Sequence, residues 1–243
     1  MRVRLAGPGW EVQPDFCATP EGEFVISGIP ERRVNILRLE ANDGRQTRQQ
    51  DVRIPAPWLV AARMVQPAWS NMRFDAAKAR TPIDEAIAQG EDFPVARTDL
   101  GKGERLSWER YFSRVDYTGL DSPGSVDFAA VTHAQNFEGG YGARWVYSPR
   151  ERPVQVALGV QAFAGVLHLA VSLNGREIYA GHITAEPGKQ KRVATRLRQG
   201  WNLLVFKANH CNWQWQCAVD LAPVGEETLD DLRYSTVPQP LPR

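Results

Sequence analysis

Hydrophobic and polar residues alternate most regularly over the last hundred positions. In "RPVQVALGV" Val154, Val156 and Leu158 fall on one side of an extended chain, the period of a half-buried strand. "GVLHLAVSLNGREIYAG" repeats this with Leu167, Leu169, Val171 and Leu173, then reaches Asn174-Gly175, the strongest short hairpin signal. "QKRVATRLRQG" sets Val193, Thr195 and Leu197 against Arg192, Ala194 and Arg196, and "WQCAVDLAP" sets Cys217, Val219 and Leu221 on one face. Between them, "GWNLLVFKANH" is apolar on both faces, as a central strand requires. Short strands separated by turn signals predict an antiparallel sandwich.

The pattern is weaker upstream. "EFVISGIP" and "VNILRLEA" read as strands, with Asp-Gly turn chemistry in "NDGR". "IPAPW" reads as a linker, because its prolines remove ladder donors. Residues 1–55 are therefore expected to form a small β unit or strand extension, residues 56–235 the sandwich, and 236–243 a tail. "DAAKARTPIDEAIAQG" predicts a short helix interrupted near Pro82, and "GEETLDDLRYS" a terminal helical turn. "LSWERYF", "GSVDFAAV" and "GARWVYSP" read as further strands.

Charge narrows the partners. With 29 basic and 28 acidic residues in 243, the chain has no electrostatic footprint for nucleic acid. No apolar run approaches the roughly 20 residues of a membrane helix, and the first residues carry no apolar signal segment. The three cysteines, Cys17, Cys211 and Cys217, are too few for a disulfide framework but allow one local bridge, Cys211–Cys217, with Cys17 free.

From Trp58 to about Leu221 the chain resembles a jelly-roll module of the galactose-binding-domain-like type, as attached to bacterial carbohydrate-active and other secreted enzymes. The resemblance is carried by "PWLVAARMVQP", "LSWERYFS" with "GSVDF", "ARWVYSPRERPVQVALGV", "VSLNGREIYAG" and "VATRLRQGWNLLVFKANH", in that order. It covers about two-thirds of the chain. It implies an all-β jelly roll, a bacterial source, and a secreted or periplasmic location. Two stretches depart from the family pattern: "GVQAFAG" at a turn, and "NHCNWQWQC" where a Gly-rich loop is usual.

That second stretch, Asn209–Cys217, holds the candidate chemistry. Joining two antiparallel strands, it is expected at one end of the sandwich, where sites are commonly built. His210, Cys211 and Cys217 fall short of the four ligands of a structural zinc, and Cys-x5-Cys is wide for one. A disulfide closing the hairpin fits better, since facing strand positions meet the ~5.5 Å Cα spacing it needs. Trp213 and Trp215 are two apart and share a face of a regular strand. Exposed, they could stack on pyranose rings while His210 and Asn212 bond hydroxyls; buried, they would close the end of the core. A second stretch, "HAQNFEGGYGARW", could line a groove with Asn136, Glu138, Tyr141 and Arg144, or be a solvated connection.

Nothing in the sequence assembles a catalytic constellation. No Gly-x-Ser-x-Gly occurs. The paired carboxylates Asp84/Glu85 and Asp230/Asp231 are adjacent, so they point apart instead of flanking one glycosidic bond. The expectation is a non-catalytic carbohydrate-binding or accessory module of a larger protein, with an oligo- or polysaccharide and neighbouring domains as partners and no metal or cofactor. A structural or protein-interaction sandwich, or a glycan hydrolase or lyase with its site on the concave sheet face, are the alternatives.

Overall fold

The structure, a computed structural model, describes residues 2–5, 32–42, 47–65, 69–70, 73–89, 107–113, 124–128, 131, 138–161, 167–183, 190–210 and 215–241. Strands β1 (Arg2–Leu5), β2 (Val34–Asn42) and β3 (Thr47–Pro55) form a three-stranded antiparallel sheet in that order. The chain then enters the sandwich with β4 (Trp58–Val65). Two short strands follow, β5 (Trp69–Ser70) and β6 (Arg73–Phe74), paired with each other, and then helix α1 (Pro82–Ala88). The remaining strands are β7 (Glu109–Tyr111), β8 (Ser125–Asp127), β9 (Glu138–Ser148), β10 (Arg152–Gln161), β11 (Leu167–Leu173), β12 (Arg176–Ile183), β13 (Lys191–Leu197), β14 (Gly200–His210), β15 (Gln216–Ala222) and β16 (Arg233–Ser235).

Two antiparallel sheets face each other. The smaller has the order β13-β10-β15-β8 and the larger β12-β11-β14-β9-β4-β7. The long strand β9 carries two neighbours along one edge: β4 on residues 138–143 and β16 on 145–147. The expected all-β sandwich is therefore present. The alternations read from sequence are its inner face: Val154, Val156 and Leu158 of β10, Leu169 and Val171 of β11, and Val219 and Leu221 of β15 are all buried in one cluster.

Close packing of aromatic residues holds one end of this cluster. Gly140 and Gly142 occupy inward positions on β9. A Cβ on Gly142 would lie 2.2 Å from Phe206, and one on Gly140 2.7 Å from Phe128, so glycine is required for the rings to reach the backbone. The Asn174-Gly175 turn is formed as expected, with both residues at positive φ (52° and 79°), which the primed hairpin turns demand.

Two local expectations change. Pro82 does not interrupt a helix but starts one: Thr81 is the N-cap, and its hydroxyl and the Asp84 carboxylate cap each other's backbone N–H groups. Pro is favoured in the first turn because its missing N–H has no partner there anyway. The segment after Gly225 forms turns and then β16, not a helical turn, because Val146 and its neighbours on β9 offer an open edge. Among the described residues no helix is long and apolar enough to cross a membrane.

Candidate ligand-binding site

The two faces of the larger sheet diverge in chemistry. Along β14, Leu204, Phe206 and Ala208 enter the core between the sheets. Leu203 and Val205 point the other way and pack with Tyr141, Ala143, Trp145 and Ile83 of α1 in a second apolar cluster. Further along that outer face come Lys207 and Asn209, and there residues of the segment 74–88 and the sheet border a half-open cavity of about 450 Å³.

Asp84 organises one wall. Its carboxylate accepts from the Thr81 N–H (2.9 Å), the Tyr141 hydroxyl (2.6 Å) and the Lys207 ammonium (2.6 Å). Lys207 also donates to the carbonyl of Ala79, so both side chains of the ion pair tie the segment to the sheet. Burial lowers the Lys207 pKa and outweighs the opposing pull of Asp84. Burial, together with the Asp84 charge, holds Tyr141 well above its ordinary value and keeps its phenol protonated.

The opposite wall comes from β11. His168 sits directly across from Asn209 on β14 and from His182 on β12. Its ring stacks on Phe74 (centroids 4.0 Å apart, 23°) and meets His182 edge-on at 5.5 Å. Burial, then His182 and Lys207, lowers the His168 pKa to about 4, so the ring is neutral at pH 7. Two residues that line this cavity each hold a buried polar atom, Nδ1 of His168 and Oδ1 of Asn209, with no hydrogen-bond partner among the described residues. No three His, Cys, Asp or Glu side chains converge as metal ligands among those residues.

Of the candidate site residues singled out from sequence that the structure describes, all but Tyr141 lie away from this cavity. Trp215 is fully buried, not exposed on a loop: its ring is stacked between Phe128 (4.6 Å) and His210 (4.5 Å), closing the end of the core. His210 is the last residue of β14 and equally buried. Arg144 lines no groove, because β9 begins at Glu138 and carries it into the interior. There its guanidinium lies 3.9 Å from the Trp58 ring centroid and 4.8 Å from that of Tyr234, and donates to Asp220 and the Val219 carbonyl. Cys217 is a free, buried thiol whose pKa burial pushes up. Cys211, Asn212, Trp213 and Asn136 lie outside the described residues. Tyr141 is the exception, since it borders the cavity.

Lys207 and His168 were missed, Asp84 was set aside as one of an adjacent carboxylate pair, and Asn209 opened the candidate stretch without being given a role. Two signals could have found them. One face of "LLVFKANH" turns polar at Lys207 and Asn209 while the other stays apolar to Ala208. "TPID" is a capping-box spacing with an acidic third position. No family model matches the chain, and neither a curated protein nor a solved structure is significantly similar to it.

Proposed function

We propose that the chain is a non-catalytic carbohydrate-binding β-sandwich of the galactose-binding-like, jelly-roll kind, serving a larger carbohydrate-active protein. Its ligand would sit in the cavity on the outer face of the larger sheet. The observation that carries this reading is the cavity itself: about 450 Å³, within the ~300–1,000 Å³ usual for small-molecule sites. It also combines an apolar wall of Phe74, Ala77 and Ala79 with a few fixed polar groups. Binding is favoured over turnover because, among the groups suited to proton transfer, Lys207 and Tyr141 are both engaged by Asp84.

A second reading has one observation behind it. The Asp84–Lys207–Tyr141 cluster is satisfied internally, which suits a purely structural clasp in an interaction sandwich. Calorimetric titration with a panel of neutral mono- and oligosaccharides separates the two. Binding that Phe74→Ala weakens at least tenfold supports the sugar site. No heat with any member of the panel leaves the clasp reading in place.

A further inference from the structure

The cavity is unevenly finished. On the Asp84 side every hydrogen bond is made within the protein, whereas on the β11–β14 side two buried polar atoms are left over. Asn209 is 1% exposed and His168 9%, so bulk water does not compensate them. A buried donor or acceptor without a partner carries its full desolvation cost, and here two such atoms lie on residues directly opposite each other on neighbouring strands. We infer that Asn209 and His168 are the residues that read the ligand, and that they select two adjacent hydroxyl groups of a neutral sugar. This rests on the sugar-binding reading above.

The donor and acceptor chemistry excludes the other ligand classes. Amide Oδ1 of Asn209 only accepts, so the group facing it must donate. A carboxylate or phosphate, which only accepts, would set lone pairs against lone pairs. An ammonium could donate, but Asp84, the carboxylate of the cavity wall, is already paired with Lys207. A hydroxyl is neutral and both donates and accepts, so it also matches Nδ1 of His168 in either tautomer. Burial keeps that ring uncharged at neutral pH, so the imidazole itself adds no attraction for an anion. Spacing supplies the second criterion. Side chains directly opposite on paired strands have Cβ atoms about 4.5–5.5 Å apart, a separation that hydroxyls on adjacent carbons can bridge. The Phe74 ring stacked on His168 holds the imidazole in place for this contact.

The test uses the full chain at pH 7 and calorimetry with methyl glycosides of glucose, galactose and mannose. Deoxy analogues of whichever binds are titrated next. Removing either of one pair of neighbouring hydroxyls should weaken binding at least tenfold, and removing a distant hydroxyl less than threefold. Asn209→Ala and His168→Ala should each weaken the parent sugar at least tenfold and erase the penalty for the matching deoxy analogue. Equal losses for every deoxy sugar, unchanged affinity in both variants, or tighter binding of the glucuronide or glucosamine would overturn the inference while leaving sugar binding intact. No binding by any of the three glycosides would overturn both. The deoxy series needs no altered protein, so it decides even if a variant fails to fold.

Discussion

The inner and outer faces of the larger sheet are built from alternate residues of the same strands, yet they solve opposite problems. Against the inner face, Trp215 and Phe128 from strand ends of the smaller sheet stack with His210 of β14, and Gly142 gives up its side chain so that Phe206 can approach. On the outer face Asp84 and Lys207 keep charges near a cavity that packing leaves open. One face gains stability from contact; the other is held open by hydrogen bonds. Polar groups inside a fold are costly unless paired, so the leftover atoms of His168 and Asn209 are a cost that no hydrogen bond among the described residues offsets.

The sharpest way to break this contrast is at the inner face. Trp215→Ala removes the middle ring of the stack and should cost ~3–5 kcal/mol, as large aromatic truncations in cores do. Chemical denaturation would measure it. Lys207→Met on the outer face should cost less, ~1–3 kcal/mol. It removes a tie between segment 74–88 and the sheet, but Asp84 keeps its bonds to Thr81 and Tyr141. A loss at Lys207 equal to that at Trp215 would erase the distinction between the faces.

Acid sharpens the comparison. His168 titrates near 4 in the folded chain and near its ordinary 6.5 when unfolded. Between these values the unfolded chain binds more protons, so stability should fall as pH drops from 6.5 toward 4 and level off below. Above 6.5 the residue contributes no slope. His168→Gln should flatten the melting-temperature profile over this window relative to the parent. The smallest effect is expected at the far end of the outer face, where Arg233 covers the Tyr147 ring at 4.7 Å. Arg233→Ala should shift stability by only about 0.5–1 kcal/mol, the range of exposed cation–π contacts.

Sheet architecture was legible in sequence because strand periodicity is local: Val154, Val156 and Leu158 announce their shared face without knowledge of the partner. The Asn174-Gly175 turn was legible for the same reason, being a demand on two backbone angles. The site was not. Asp84 and Lys207 are 123 positions apart, and nothing near either one signals the other. Trp215 of "NHCNWQWQC" misled in part, because stacking on a sugar and stacking on Phe128 make the same demand on composition. Arg144 misled too, since an arginine between glycines and aromatics reads as surface until Asp220 appears across the core.

Asp220 has a consequence for anyone shortening this chain. Its carboxylate is shared between the interior Arg144 (3.3 Å) and Arg33 (2.5 Å), which stands just ahead of β2, while Arg32 reaches the Asp230 carbonyl. The proline-rich junction at residues 54–57 looks like a natural place to cut. A fragment beginning at Ala56 would nonetheless lose Arg33, one of the two cations that neutralise Asp220. A well-behaved truncation should begin before Arg32, so that the ionic seam between the two sheet systems is carried over whole.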